Sequence, residues 1–210
     1  MINRYFGVII VIFFSCHKYE PFCDCIDTAN PIPMSLIYPN NFPTPNMPES
    51  NPLTEEGVNL GRHLFYDPIL SSDNTVACAS CHKQEHAFSD NIPFSPGVNG
   101  AQGIRHSQTL INVAFQEIFD WDGKSNSLED QAVRPIFNEI ELHNNNWSEV
   151  INRLKMSELY SSLFCEAFGT EDIDSLHILM ALSQFQRTLI SYNSKFDNWF
   201  FNGGPYALEE

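Results

Sequence analysis

Positive charge is scarce in this chain: 11 Lys and Arg stand against 26 Asp and Glu, a formal net charge of −15 over 210 residues. That imbalance excludes nucleic acid and an anionic membrane surface as direct partners, while it would steer a basic or neutral protein toward the surface. No apolar run is long enough to span a bilayer; the run at residues 6–14, behind Arg4, has the length of a signal-peptide core. Alternating strand patterns, hairpin signals and internal repeats are absent, which leaves an all-α class. There is no second Cys-x-x-Cys to close a structural zinc site, and no Met between residues 83 and 155.

What is present divides the chain. Residues 1–15 read as a lipoprotein-type signal with Ser15 before Cys16, which makes Cys16 the expected lipid-bearing N-terminus. Export to the periplasm or cell envelope, with the membrane reached only through that lipid, is therefore expected. Eight of the 13 prolines fall within residues 21–52, so 16–52 reads as an extended tether with little core of its own. The remaining 53–202 are the size of one ordinary domain.

Within it Thr54, followed by Glu55 and Glu56, marks a helix start, and Leu60, Leu64 and Phe65 give its apolar face up to Asp67-Pro68. Gly57 and Gly61 weaken that helix, and a close neighbour on their face is the physical reason for both. Further helices are expected over about residues 107–116, from Ser127 until Pro135 halts or kinks the chain, and over 148–155, 158–168 and 172–190. The turn-rich stretch 89–103 is a candidate wall of a site. His63 and His86 read as exposed helix residues.

Cys78-Ala79-Ser80-Cys81-His82 is the attachment signature of a c-type haem. Two thiols three residues apart on a helical turn reach the two vinyl groups, and the next imidazole turns under the iron as axial ligand. Zinc held by Cys78, Cys81, His82 and His86 is disfavoured because adjacent residues on a helix point about 100° apart. A thioredoxin-like pair would need a βαβ setting that the pattern lacks. Of the other cysteines, Cys165 lies in an apolar helical pattern and reads as a buried, inert thiol. Cys23 and Cys25 would be strained if bridged to each other and receive no function.

One covalent haem c can serve an electron carrier or a catalyst. A carrier closes the sixth iron position with a protein ligand, and Met156, His106 and His143 are the candidates; Met156 and Met180 both read as core-filling residues. A catalyst leaves that position open or water-bound and needs an acid or base within hydrogen-bond reach of it. The residues alone do not select that group among the 26 acidic side chains.

The stretches "NPLTEEGVNLGRHLFYDPILSSDNTVACASCHKQEHAFSD", "FDWDGKSNSLEDQAVRPIFNEIELH" and "SQFQRTLISYNSKFDNWF" resemble the N-terminal, peroxide-reacting domain of bacterial di-haem cytochrome c peroxidases over about residues 43–205. The resemblance implies a cytochrome c-like fold with additional helices and reduction of hydrogen peroxide with electrons from a small cytochrome c or cupredoxin. It implies Cys78 and Cys81 as thioether cysteines and His82 as iron ligand. Glu141 is then the distal acid/base, Trp121 lies on an electron path, and Gln131 is a pocket candidate. A plain electron-transfer cytochrome and the related di-haem oxidases that act on a partner protein are the alternative readings, and a homodimer is left open.

Two departures are visible. Many relatives place a histidine that caps the resting iron in the loop where this chain has Gly100, which implies an iron open without reductive activation. His106 stands where the family often has an Asn associated with a calcium ion, which argues against calcium. The family continues into a second haem domain; residues 203–210, "GGPYALEE", fall about where that link would begin. The expectation from the sequence is thus a truncated di-haem peroxidase whose full activity is weak or absent.

Overall fold

The computed structural model describes Cys25 and residues 29–203. The expected signal segment, Cys16, Cys23 and residues 204–210 lie outside the described residues. The fold is all-α and cytochrome c-like: among the described residues β structure is confined to isolated bridges. In chain order the helices are α1 (Glu55–Tyr66), α2 (Cys78–Cys81), α3 (Leu128–Phe137), α4 (Trp147–Lys155), α5 (Glu158–Phe168), α6 (Ser175–Arg187) and α7 (Lys195–Asn202).

The architecture is built on α1 lying against α6, with α5 and α3 packed beside them. α1 starts where Thr54 accepts a hydrogen bond from the Gly57 amide at 3.0 Å, a side-chain cap on an otherwise unpaired donor. Its buried residues Leu60, Leu64 and Phe65 recur at helical spacing and join Ile178, Leu182 and Phe185 of α6 in one core. The helices approach so closely that a Cβ on Gly61 would sit 1.9 Å from the Ala181 carbonyl oxygen. Any side chain at Gly61 must therefore push backbone apart, which explains a residue that otherwise weakens a helix.

α6 is shorter than expected. Asp174 caps it by accepting from the His177 amide at 2.8 Å, and Thr188 ends it with its hydroxyl on the Phe185 carbonyl at 2.7 Å. The expected helix over 107–116 is not formed. Asn112 adopts a left-handed backbone with φ of 63°, and its side chain exchanges hydrogen bonds with Ser191, accepting at 2.9 Å and donating at 3.0 Å. Asn tolerates that conformation and is here held in it by its partner, so only a short 3₁₀ turn at Val113–Phe115 survives. Pro135 does not halt α3, which continues for two residues to Phe137. It does leave the Gln131 carbonyl without its usual helical donor.

The described part of the proline-rich stretch, expected as a tether, is fastened to the helices. Met34 N donates to the Leu53 carbonyl at 2.9 Å, and Tyr38 and Phe42 set their rings edge-on to Phe115 at 5.4 and 5.1 Å. Asn51 is fully buried, donating to Glu129 at 2.6 Å and accepting from Gln184 at 2.8 Å. Met156, expected in the core, is 86% exposed at the end of α4. His63 is exposed on α1, whereas His86 lies half-buried in a 3₁₀ turn.

Cys165 corrects the sequence reading most directly: it is not a free thiol but is joined to Cys25, 140 residues away in sequence. The bridge ties the N-terminal stretch to α5. Periodicity identified the buried side of α5 but carried no information about a partner so distant in sequence. Closing so large a loop restricts the unfolded chain, an effect typically worth about 2–4 kcal/mol. We expect Cys165→Ser to lower unfolding stability by that order in non-reducing denaturant titration, and reductant to erase the difference between variant and parent.

Candidate haem site

The pentad begins one short turn of helix. Ala77 N donates to Ser80 Oγ at 3.1 Å and His82 N to the Cys78 carbonyl at 3.0 Å, so Cys78 and Cys81 lie on one turn. The chain then leaves the helix at His82, with φ of −117° and ψ of 76°, which turns the imidazole away from the thiols' turn. Its Nδ1 lies 3.0 Å from the Phe88 carbonyl oxygen. That bond is suited to a tautomer with the proton on Nδ1, leaving Nε2 for a metal. Burial lowers the His82 pKa although the Phe88 carbonyl opposes it, so the ring is neutral, the form that ligates.

Burial, with Cys81 next, pushes the Cys78 thiol up to about 12, and burial also raises Cys81. Both are unpaired with each other. They open onto a cleft that is partly open to solvent. Its apolar wall includes Phe65, Val76, Leu110, Ile136, Leu142 and Leu182. Gln186 also lines it, with a buried Oε1 that has no hydrogen-bond partner. Two free thiols at the right spacing, a neutral imidazole held at Nδ1, a greasy cleft and an unsatisfied amide together fit haem c.

The far wall comes from α3 and the turn behind it. Gln131, Ala132, Pro135 and Ile136 line the cleft, followed by Glu141 and Leu142. The turn is fixed from three sides. Ser72 N donates to the Leu142 carbonyl at 2.8 Å, and Val98 N lies 3.1 Å from the Ile140 and Glu141 carbonyls. Asn144, buried, donates to the Leu70 and Ile136 carbonyls at 2.8 and 2.9 Å. Gly97 permits this closure, since a Cβ there would lie 1.8 Å from the Ile140 carbonyl oxygen. Glu141 Oε1 accepts from Asn138 Nδ2 at 3.0 Å. Glu141 is exposed, yet packing on its cleft side, then the Asp120 charge, raise its pKa.

Cys78, Cys81, His82, Gln131 and Glu141 thus meet in one cleft although up to 63 positions separate them, counting from 78 to 141. Trp121 does not line it. It sits on a loop, 61% exposed, with its indole N–H donating to the His106 carbonyl at 2.8 Å. His106 directs Nε2 to the Asp90 carbonyl at 2.9 Å, and His143 turns Nδ1 to the Glu139 carbonyl. Neither lines the cleft, and neither does Met156. Gln186 and Leu182 were not singled out from the sequence, because a residue in a helix that is apolar almost all round gives no sign of which neighbour it faces; Leu110 lies in a stretch expected to be helical that is not.

The sequence matches the family described as di-haem cytochrome c peroxidase over residues 55–204. Methylamine utilization protein MauG of Methylorubrum extorquens is 41% identical over 153 residues, covering 72% of this chain and 43% of that protein. Cytochrome c peroxidase Ccp of Escherichia coli is 35% identical over 168 residues, covering 80% of this chain and 36% of its own. Among solved structures, a MauG-like protein associated with microbial copper homeostasis superposes with a TM-score of 0.76 at 32% identity, over 81% of this chain and 51% of that one. The chain spans about half, or less, of the length of each of these relatives. Family membership implies haem c, and the cleft at Cys78, Cys81 and His82 fits it: the chain belongs to the di-haem cytochrome c peroxidase family.

Proposed function

We propose that this domain reduces hydrogen peroxide to water with haem c attached at Cys78 and Cys81 and ligated by His82. The observation that carries the reading is the meeting of Glu141 and Gln131 with the attachment pentad in a single cleft. Haem c bound there would supply the iron at which peroxide is reduced and would pass on the electrons of an external donor. Glu141 Oε would take a proton from one peroxide oxygen and give it to the other, which leaves as water, and its raised pKa brings it nearer the operating pH. Asn138 Nδ2 and the pinned Ile140–Glu141 backbone hold that carboxyl in place.

Electrons come from a small cytochrome c or cupredoxin, and Trp121, exposed at the surface, is the proposed path. A second reading draws on the 41% identity to MauG: oxidation of a side chain on a partner protein, with Trp121 again at the exit. Slow peroxide turnover coupled to oxidation of an added protein would favour it. The Cys25–Cys165 bridge is at home in an oxidising compartment, which supports an exported chain, with Cys16 as the proposed lipid attachment.

With haem attached, the ferric protein at neutral pH is expected to give a high-spin electron paramagnetic resonance signal, since neither His106, His143 nor Met156 lines the cleft. A fully low-spin signal would point to a carrier. Glu141→Gln should keep the haem spectrum and slow the peroxide reaction at least about a hundredfold in stopped flow, while an unchanged rate removes Glu141 from the mechanism.

The same variant tests the electrostatics. Because the folded chain raises the Glu141 pKa above 4.5, it binds that proton more tightly than the unfolded chain does. The resulting stabilisation is full below the unfolded value and is lost as pH rises through the folded one. Glu141→Gln should therefore gain stability relative to the parent on going from about pH 4 to about pH 7 in denaturant titrations.

A further inference from the structure

Asp90 is a carboxylate with no solvent-exposed side-chain area, outside the cleft and unassigned by anything above. Burial opposes its charge, yet hydrogen bonds from Lys83, Ser95 and the Asn91 amide bring its pKa down to about 2. Lys83 Nζ stands 2.8 Å from Oδ1, Ser95 Oγ donates to Oδ2 at 2.7 Å and Asn91 N donates at 2.8 Å. The Asp90 carbonyl faces His106 Nε2. A buried ion so fully satisfied is costly to assemble and strongly destabilising to break.

What it fastens is a strained turn. Ala87 and Phe88 are consecutive non-glycine residues with positive φ, 57° and 53°. Each such residue is strained and persists only where its surroundings over-determine it. The turn is closed by Lys83 N on the Ser89 carbonyl and Phe88 N on the Lys83 carbonyl, both at 2.8 Å. Ser89 Oγ donates to the Ser107 carbonyl at 2.6 Å, and Ser107 Oγ lies 2.9 Å from Ser95 Oγ. The Lys83–Asp90 pair clamps the two ends of this turn, and the turn presents the Phe88 carbonyl to His82 Nδ1 at 3.0 Å.

We propose that Asp90, paired with Lys83, is a positioning residue for the proximal side of the haem: it holds the strained turn whose Phe88 carbonyl orients His82, and sets the charge felt at the iron. The inference rests on haem c at His82. Asp90 touches neither the imidazole nor the cleft, and acts through Lys83 and Phe88. Loss of its negative charge favours the reduced, less positive iron and raises the midpoint potential. Loss of the Lys83 charge leaves Asp90 uncompensated and lowers it.

The test uses the haem-loaded chain and its Asp90→Asn and Lys83→Gln variants, followed by spectroelectrochemical titration, resonance Raman of the iron–histidine stretch and thermal unfolding. We expect midpoint shifts of opposite sign, upward for Asp90→Asn and downward for Lys83→Gln, with a lowered iron–histidine frequency in Asp90→Asn. A purely structural clamp would destabilise both variants without sign reversal, and potentials that move together or not at all overturn the proposal. If Asp90→Asn does not accumulate, Ser95→Ala removes one donor and keeps both charges. It should then lower the potential as Lys83→Gln does, and unchanged potentials in these two overturn the proposal. A parent chain that attaches no haem overturns the haem reading itself, and this inference with it.

Discussion

The structure depends on how closely α1 and α6 approach. Gly61 lets the Ala181 backbone come within a distance no side chain allows, and everything at the site hangs from the two helices so joined. Phe65, near the end of α1, reaches the ring of His82 with centroids 6.5 Å apart, while Leu182 and Gln186 of α6 form the adjoining wall of the cleft. A side chain at Gly61 would separate the walls on which the pentad and the cleft are jointly built. The contact is dispersion between surfaces fitted at interior density, and it fixes geometry as much as it adds stability.

A second layer of constraint is polar. Arg187 grips Glu129 through both Nη atoms at 2.8 and 3.0 Å, and Asn51 reaches the same carboxylate from the proline-rich stretch. Burial opposes the Glu129 charge, but these partners hold its pKa below the usual value. Helix α3, which carries Gln131, is thereby tied to α6 and to the stretch before α1 at one point. Arg153 does the same behind the Glu141 turn, donating to the Ile69 carbonyl at 2.9 Å and to Asn144. With only 11 Lys and Arg in the chain, cations so placed act as internal fasteners.

Much of this was legible in the sequence where local chemistry decides. Thr54 and Ser127 mark helix starts in the sequence and do so in the structure. Gly57 and Gly61 announced a close neighbour, and the pentad spacing announced a haem turn. Glu141 became a candidate only through family resemblance, because its place at the cleft depends on Ser72, Gly97 and Asn144 folding a turn against it. The loop at Asn112 and the Cys25–Cys165 pair escaped for one reason: both are decided by partners far away in sequence. Asp90 looks like any surface acid until Lys83 and Ser95 are seen to enclose it.

The pairing of Cys25 with Cys165 also bears on how the chain matures. In an oxidising compartment thiols compete, and the fold sorts them. With Cys25 and Cys165 joined, Cys78 stands in a setting where burial raises its pKa and so lowers its thiolate fraction. Cys81 is raised in the same direction, again by burial first. The fold thus gives its sulfurs two different settings: one pair closes a cross-link at α5, and the other faces the cleft.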